Sequence, residues 1–371
     1  MPKTYILTFH GAVNYGAALQ AYAFYRKYTD LGGGECEFID YNRERHRAGW
    51  LKPGYYSTMN VRGKLYTLLK YPERKRVLNR FERFTREYMR LTPESYNGRG
   101  ALYGAGFGDD DIYITGSDQV WNLDVTDNDF HYYLDFTDSP NKYAYAPSFA
   151  VTDISGWDKD KLDRAEKLLG EYRLISVREE SGQAILRRCL GRDVPVVCDP
   201  TMLLTGDEWR RLAVSPRVSG GYAVIFTFTS DDKLIAAARQ TAEKRGLKLL
   251  NLVYNVSRIP GAKDIKGLGP REWLGYIAGA EHIFTNSFHG FILALNLGRQ
   301  LSFSIADPAR GSRLLDTAER LGVSDRLITD GLPDTKIDYT RVNRLIDADR
   351  ARSTAFLKEI IDAANENKTI Y

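Results

Sequence analysis

The chain has 371 residues and a mass of 42.1 kDa, too long for one ordinary domain and about right for two. With 43% hydrophobic and 27% charged residues it has a globular composition, which excludes a disordered or fibrous protein. A formal net charge of only +4 excludes a protein that coats nucleic acid over its whole surface.

Short apolar runs alternate with amphipathic helical stretches, the pattern of βαβ units and parallel sheets. Thr4–Phe9 reads as a first strand, His10–Gly16 as the loop after it, and Ala17–Asp30 as a helix. Glu35–Tyr41 reads as a second strand. A basic helix is predicted around Tyr71–Arg90, because Val77, Phe81, Phe84 and Tyr88 recur on one helical face. From Arg43 to Arg90 there are 14 basic residues and four acidic ones, whereas the rest of the chain holds 38 and 44. This segment either meets an anionic partner or is a solvated face whose arginine stems cover apolar surface. Further strands are predicted at Asp111–Thr115, Lys142–Tyr145, Arg173–Val177 and Pro195–Cys198.

Between Asp199 and Gly221 the pattern weakens, with Pro200, Gly206, Pro216, Gly220 and Gly221. The expected division is a first Rossmann-like domain over 1–205 and a second over 206–340. A C-terminal helix over 341–371 is expected to pack back on the first domain. In the second domain, strands are predicted at Tyr222–Phe228, Leu247–Val253, Glu281–Thr285 and Gln300–Ser304. Helices are predicted at Asp232–Arg245, Pro270–Gly279, Phe288–Gly298 and Ser312–Leu321, with the last from about Asp338 to Ala364. Two such domains in tandem create a cleft, and in open parallel sheets ligands sit beyond the carboxyl ends of the strands.

No signal peptide is visible, and no segment approaches the roughly 20 apolar residues needed to cross a bilayer. A soluble cytoplasmic protein is expected, with room for contact at the inner face of the cell membrane. Cys36, Cys189 and Cys198 form no CxxC motif and are expected to be reduced thiols. His10, His46, His131, His282 and His289 show no HxxxH or HExxH spacing, so no metal site is expected.

Three strand-to-loop junctions carry polar groups suited to chemistry. Thr285-Asn286-Ser287-Phe288-His289-Gly290 joins a predicted strand to a predicted helix. The amides at such a helix start suit a phosphate or carboxylate, and His289 in the first turn can exchange a proton near neutral pH. The same loop could serve only to cap the helix. Ser117, Asp118, Gln119 and Asn122 follow a strand and are dense in hydrogen-bonding groups, as sugar recognition requires; an ordinary turn is the alternative. Arg178 ends another predicted strand, where its fork could hold a carboxylate or phosphate, or pair with Glu179 or Glu180. The His10–Gly16 loop stands where a phosphate loop would, but it is neither GxGxxG nor a Walker sequence.

Taken in order, the segments FHGAVNYGAALQAYAF (Phe9–Phe24), ITGSDQVWN (Ile114–Asn122), YAPSFA (Tyr145–Ala150), ISVREESG (Ile175–Gly182), DPTMLL (Asp199–Leu204), TNSFHGFILAL (Thr285–Leu295) and GSRLLDTAERLGV (Gly311–Val323) resemble the polysaccharide pyruvyl transferase family. The resemblance implies an α/β fold of two Rossmann-like domains facing across a cleft, like glycosyltransferase B. It also implies transfer of the pyruvyl unit of phosphoenolpyruvate to a sugar as a ketal, without a metal and with no cofactor beyond that co-substrate. His289 matches the family's histidine and Arg178 an arginine implicated in holding the donor. Many members have an arginine where this chain has Ser287, a departure that bears on donor binding.

The resulting expectations place catalysis at His289 and Arg178, and donor binding at Asn286, Ser287, Gly290 and Arg313. Acceptor binding is expected at Asn14, Tyr15, Gln20, Ser117, Asp118 and Gln119. The acceptor would be a saccharide of capsule, exopolysaccharide or cell-envelope synthesis, carried in such pathways on polyprenyl diphosphate. Peripheral contact of the basic segment with anionic membrane is expected, and nucleic acid is not. The competing readings are a glycosyltransferase that uses a nucleotide sugar on the same fold, and a non-enzymatic anion-binding module built around the basic segment.

Overall fold

A computed structural model describes residues 2–42, 61–254, 256–305, 311–329 and 335–369. The first part of the basic segment, residues 43–60, lies outside the described residues. The chain divides into two compact units, Met1–Pro200 with Ser353–Tyr371 and Thr201–Arg352.

Unit 1 is built from β1 (Thr4–Leu7), α1 (Tyr15–Asp30), β2 (Cys36–Asn42), α2 (Val61–Tyr88), β3 (Leu91–Asn97), β4 (Ile112–Thr115), β5 (Lys142–Ala144), α3 (Lys159–Gly170), β6 (Leu174–Ile175) and α4 (Glu180–Leu190). Its strands form one sheet in the order β3-β2-β1-β4-β5-β6, and every pairing is parallel. The central strands β1 and β4 are buried along their whole length. That is why they read as short unbroken apolar runs instead of alternating ones. Asn14 starts α1 by accepting the amide of Ala17, and a face rich in Ala17, Ala18 and Ala21 is fully covered. Helix α2 begins earlier than the apolar spacing predicts and carries Pro72 inside it. It buries Val77, Leu78, Phe81 and Phe84.

Unit 2 consists of α5 (Gly206–Leu212), β7 (Tyr222–Phe226), α6 (Asp232–Arg245), β8 (Lys248–Leu252), β9 (Lys263–Ile265), α7 (Pro270–Gly279), β10 (His282–Thr285), α8 (Phe288–Asn296), β11 (Gln300–Phe303) and α9 (Ser312–Arg320). Its sheet, again wholly parallel, runs β11-β10-β7-β8-β9. The last helix, α10 (Tyr339–Thr369), begins in unit 2 and contributes its residues from Ser353 onward to unit 1. There the Ser353 hydroxyl accepts the Cys198 amide at 2.8 Å, and Leu357, Ile360 and Ala364 are fully buried. No helix among the described residues is long and apolar enough to cross a membrane.

The predicted strand at Pro195–Cys198 is corrected. Only a single bridge forms there, between Val177 and Val196, held by Val177 N to Pro195 O (3.1 Å) and Val197 N to Val177 O (2.9 Å). Strand β3 escaped the reading because it is an edge strand with Pro93 in it and mostly exposed side chains.

Candidate active site

In unit 2 the candidate groups gather at the carboxyl edge of the sheet. Thr285, the last residue of β10, stands in register with Phe226 on β7 and with Phe303 on β11. The residues that follow these strands are Thr227, Asn286 and Ser304, three polar side chains along one edge of the sheet. All are buried, and the Thr227 and Ser304 hydroxyls have no hydrogen-bond partner among the described residues. Asn286 is held firmly. Its Oδ1 accepts the Phe228 amide at 2.9 Å, and its Nδ2 donates to the carbonyl and hydroxyl oxygens of Thr229.

Ser287 is the N-cap of α8, and its hydroxyl accepts the Gly290 amide at 3.3 Å. Thr285 Oγ1 fixes the turn from below, donating to Phe226 O at 2.7 Å and accepting the Ser287 amide at 3.0 Å. A Cβ on Gly290 would stand 2.6 Å from Thr285 Oγ1 and 3.2 Å from Phe226, so glycine lets the first turn lie against the strand end. His289 occupies the second helical position and is 7% exposed. Its ring meets Phe288 edge-on at 5.4 Å, and the Arg313 guanidinium lies 5.5 Å from the centre of the same Phe288 ring. The expected donor residues Asn286, Ser287, Gly290 and Arg313 and the expected catalytic His289 are thus gathered around one turn. The side chains of Asn286 and Ser287 spend their hydrogen bonds on building it.

In unit 1 the loops after β4 and β6 share a buried network. Gly116 has φ +104°, and a Cβ there would meet the Tyr145 carbonyl oxygen at 2.3 Å. The Ser117 hydroxyl donates to Ala146 O at 2.9 Å and lies 3.4 Å from Asp199 Oδ2. Asp118, with φ +69°, accepts the Gln119 amide on Oδ1. Arg178 is surrounded by carboxylates, with Nη1 at 2.7 Å from Asp199, Nη2 at 3.6 Å from Asp118 and Nε at 3.7 Å from Glu179. Its side chain is 1% exposed. Burial works against its charge, but Asp199, Asp118 and Glu179 outweigh burial and hold its pKa above the ordinary arginine value. The expectation that this fork grips a donor therefore meets a fork already gripped by the protein.

Gln20 joins the same network, because its Nε2 donates to Thr8 Oγ1 at 3.0 Å and Thr8 Oγ1 donates to Ser117 O at 3.0 Å. Gln20, Ser117, Asp118 and Arg178 are thus brought together, with Asp199 and Thr8 as links that sequence reasoning missed. Asn14 and Tyr15 stand at the start of α1; Asn14 caps the helix, and the Tyr15 ring packs 5.2 Å from Phe81. Gln119 is half-buried. Two further acid–histidine pairs went unread in the sequence, one between separate strands and one within a single turn. His10 faces Asp40 at 3.4 Å, with the Ser95 hydroxyl on the other carboxylate oxygen. His131 Nδ1 lies 2.7 Å from Asp135, and burial of that carboxyl is outweighed by His131, Tyr103 and Arg164, which lower its pKa.

The profile of the family described as polysaccharide pyruvyl transferase matches residues 14–301. No curated protein shows a significant match to the chain. Among solved structures the fold is similar to that of a protein assigned as a UDP-N-acetylglucosamine 2-epimerase from Listeria monocytogenes. That pair is 11% identical over 96% of this chain and 91% of the other, with a TM-score of 0.50. The E. coli heptosyltransferase WaaC with ADP is 12% identical over 94% and 99%, with a TM-score of 0.40. With two parallel α/β units in the chain and the likeness to the epimerase, the architecture is that of the glycosyltransferase B fold.

Proposed function

Because the chain belongs to the polysaccharide pyruvyl transferase family, we propose that it moves the pyruvyl unit of phosphoenolpyruvate onto a saccharide as a ketal. The observation that carries this reading is the placement of His289. An imidazole sits in the first turn of a capped helix, against the same Phe288 ring as Arg313, at the strand ends where Thr227 and Ser304 leave buried hydroxyls unmatched. Such a place suits a small dianion with an enol carbon.

The chemistry is an addition across the enol double bond followed by a substitution at the same carbon. A sugar hydroxyl oxygen bonds to C2 of the donor while a proton reaches the methylene C3, which becomes the methyl group. The C2–O bond to phosphate then breaks, and the phosphate takes the bonding pair. A second sugar hydroxyl adds to C2 and its proton leaves with the phosphate, which closes the ketal. Atoms balance with no oxidant or reductant. His289 takes the proton of the first hydroxyl and delivers it to C3. Arg313 and the helix start hold the donor's charges. Arg178 serves as a positioning residue for the Ser117–Asp118 turn, where the acceptor's hydroxyls are to be aligned together with Asn14, Tyr15, Gln20 and Gln119.

The test is phosphate release from phosphoenolpyruvate in the presence of a panel of envelope saccharides, with mass spectrometry of the sugar product. A pyruvylated product that depends on His289 supports the proposal. Binding of nucleotide sugars, with no calorimetric response to phosphoenolpyruvate, would replace it with the glycosyltransferase reading.

A further inference from the structure

We infer, on the reading above that Arg313 and the start of α8 hold the donor's charges, that Phe288 is the residue that presents Arg313 to the donor. On that reading the turn Thr285–Gly290 receives a dianion, yet it carries no lysine or arginine of its own. The cation comes from another element. Arg313 is the second residue of α9, whose N-cap, Gly311, has no side chain with which to close the first turn.

Phe288 joins the two helices. It is the first residue of α8, directly after the Ser287 cap, and is 7% exposed. The Arg313 guanidinium carbon stands 5.5 Å from the centre of its ring, within the roughly 6 Å over which an aromatic face attracts a cation. Arg313 is itself only 9% exposed, so its charge is largely out of water, where this attraction is stronger. The His289 ring meets the same phenyl ring at 5.4 Å and 82°. A phenyl face attracts the charge without taking up the hydrogen bonds of the guanidinium fork. An arginine ordered before the ligand arrives also loses less conformational freedom on binding it. One capped turn thus carries the imidazole directly and, through Phe288, sets where the cation stands. An aliphatic side chain of similar size would fill the same space but offer no face to the charge. Phe288 is therefore a positioning residue that acts through Arg313.

The experiment is a double-mutant cycle on the full chain, read by calorimetric binding of phosphoenolpyruvate. Phe288→Met roughly conserves volume without the ring, a change the fold should tolerate, and should weaken binding about fivefold. Arg313→Gln should weaken it about thirtyfold. The two together should bind hardly worse than Arg313→Gln alone, because the ring then has no cation to hold. Phe288→Tyr keeps the aromatic face and should bind like the native chain. A ring that only packs would lower the unfolding midpoint but would multiply its loss of affinity with that of Arg313→Gln. Multiplied losses, native affinity in Phe288→Met, or Phe288→Tyr as weak as Phe288→Met would each overturn the inference and leave Arg313 as the donor's cation. A native chain with no calorimetric response to phosphoenolpyruvate would overturn the donor reading and this inference together.

Discussion

At His289 the local environment separates a chemical role from a packing one. The ring is buried but belongs to a turn whose own bonds are completed by Thr285, Asn286 and Ser287, so its loss should leave that turn standing. His289→Gln is expected to lower turnover by about 10²- to 10⁴-fold while the melting temperature stays near that of the native chain. Gly290→Ala acts the other way. Its methyl would press on Thr285 Oγ1, and overpacking of this kind costs about 1–3 kcal/mol, visible in the denaturant midpoint. Arg178→Met should cost about 3–5 kcal/mol, because Asp199, Asp118 and Glu179 would be left buried without their cation. Arg178→Lys should recover part of that stability; if it restores acceptor KM without restoring kcat, a positioning role is favoured. His289 and Ser287 were legible in the sequence because strand, polar turn and helix follow one another directly. Of the partners of Arg178, Glu179 was legible as its neighbour, but Asp118 and Asp199 were not, since they reach it only through the order of strands in the sheet.

Strands with apolar runs were legible, the edge strands β6 and β11 included, while the edge strands β3 and β9, which bury little, were missed. An edge strand needs little apolar surface, so its sequence says little. Helix α8 depends on its cap, and Ser287→Ala should cost about 1 kcal/mol, measured by thermal or denaturant unfolding. Strand β10 also carries a pH dependence unrelated to chemistry. His282, at its amino end, stacks on Phe284 at 4.4 Å and shares a hydrogen bond with Ser302. Burial first, and then Arg245 and Arg326, lower its pKa from 6.5 to about 3. The unfolded chain accepts a proton there that the folded one refuses. The stabilisation is therefore complete above about pH 6.5 and is lost, by up to a few kcal/mol, as pH falls from there toward 3. Unfolding curves of His282→Gln should be flatter across that window than those of the native chain.

Across the whole molecule, the chain leaves unit 1 after Pro200 and returns to it at Ser353. Removing the residues after Arg352 should therefore weaken unit 1, which loses Leu357, Ile360 and Ala364 from its core and the acceptor of the Cys198 amide, while unit 2 keeps its sheet. Hydrogen exchange resolved by peptide should show faster exchange in β1 and β4 and little change in β7 and β10. During synthesis the same arrangement sets an order of events. Domains commonly fold as the ribosome delivers them, the first one first. Here the first sheet emerges early but waits for the residues from Ser353 onward, so unit 2 can reach its final state while unit 1 is still incomplete. A newborn chain thus exposes the unfinished face of unit 1 until the residues from Ser353 onward have emerged, and that interval is when chaperones would be needed.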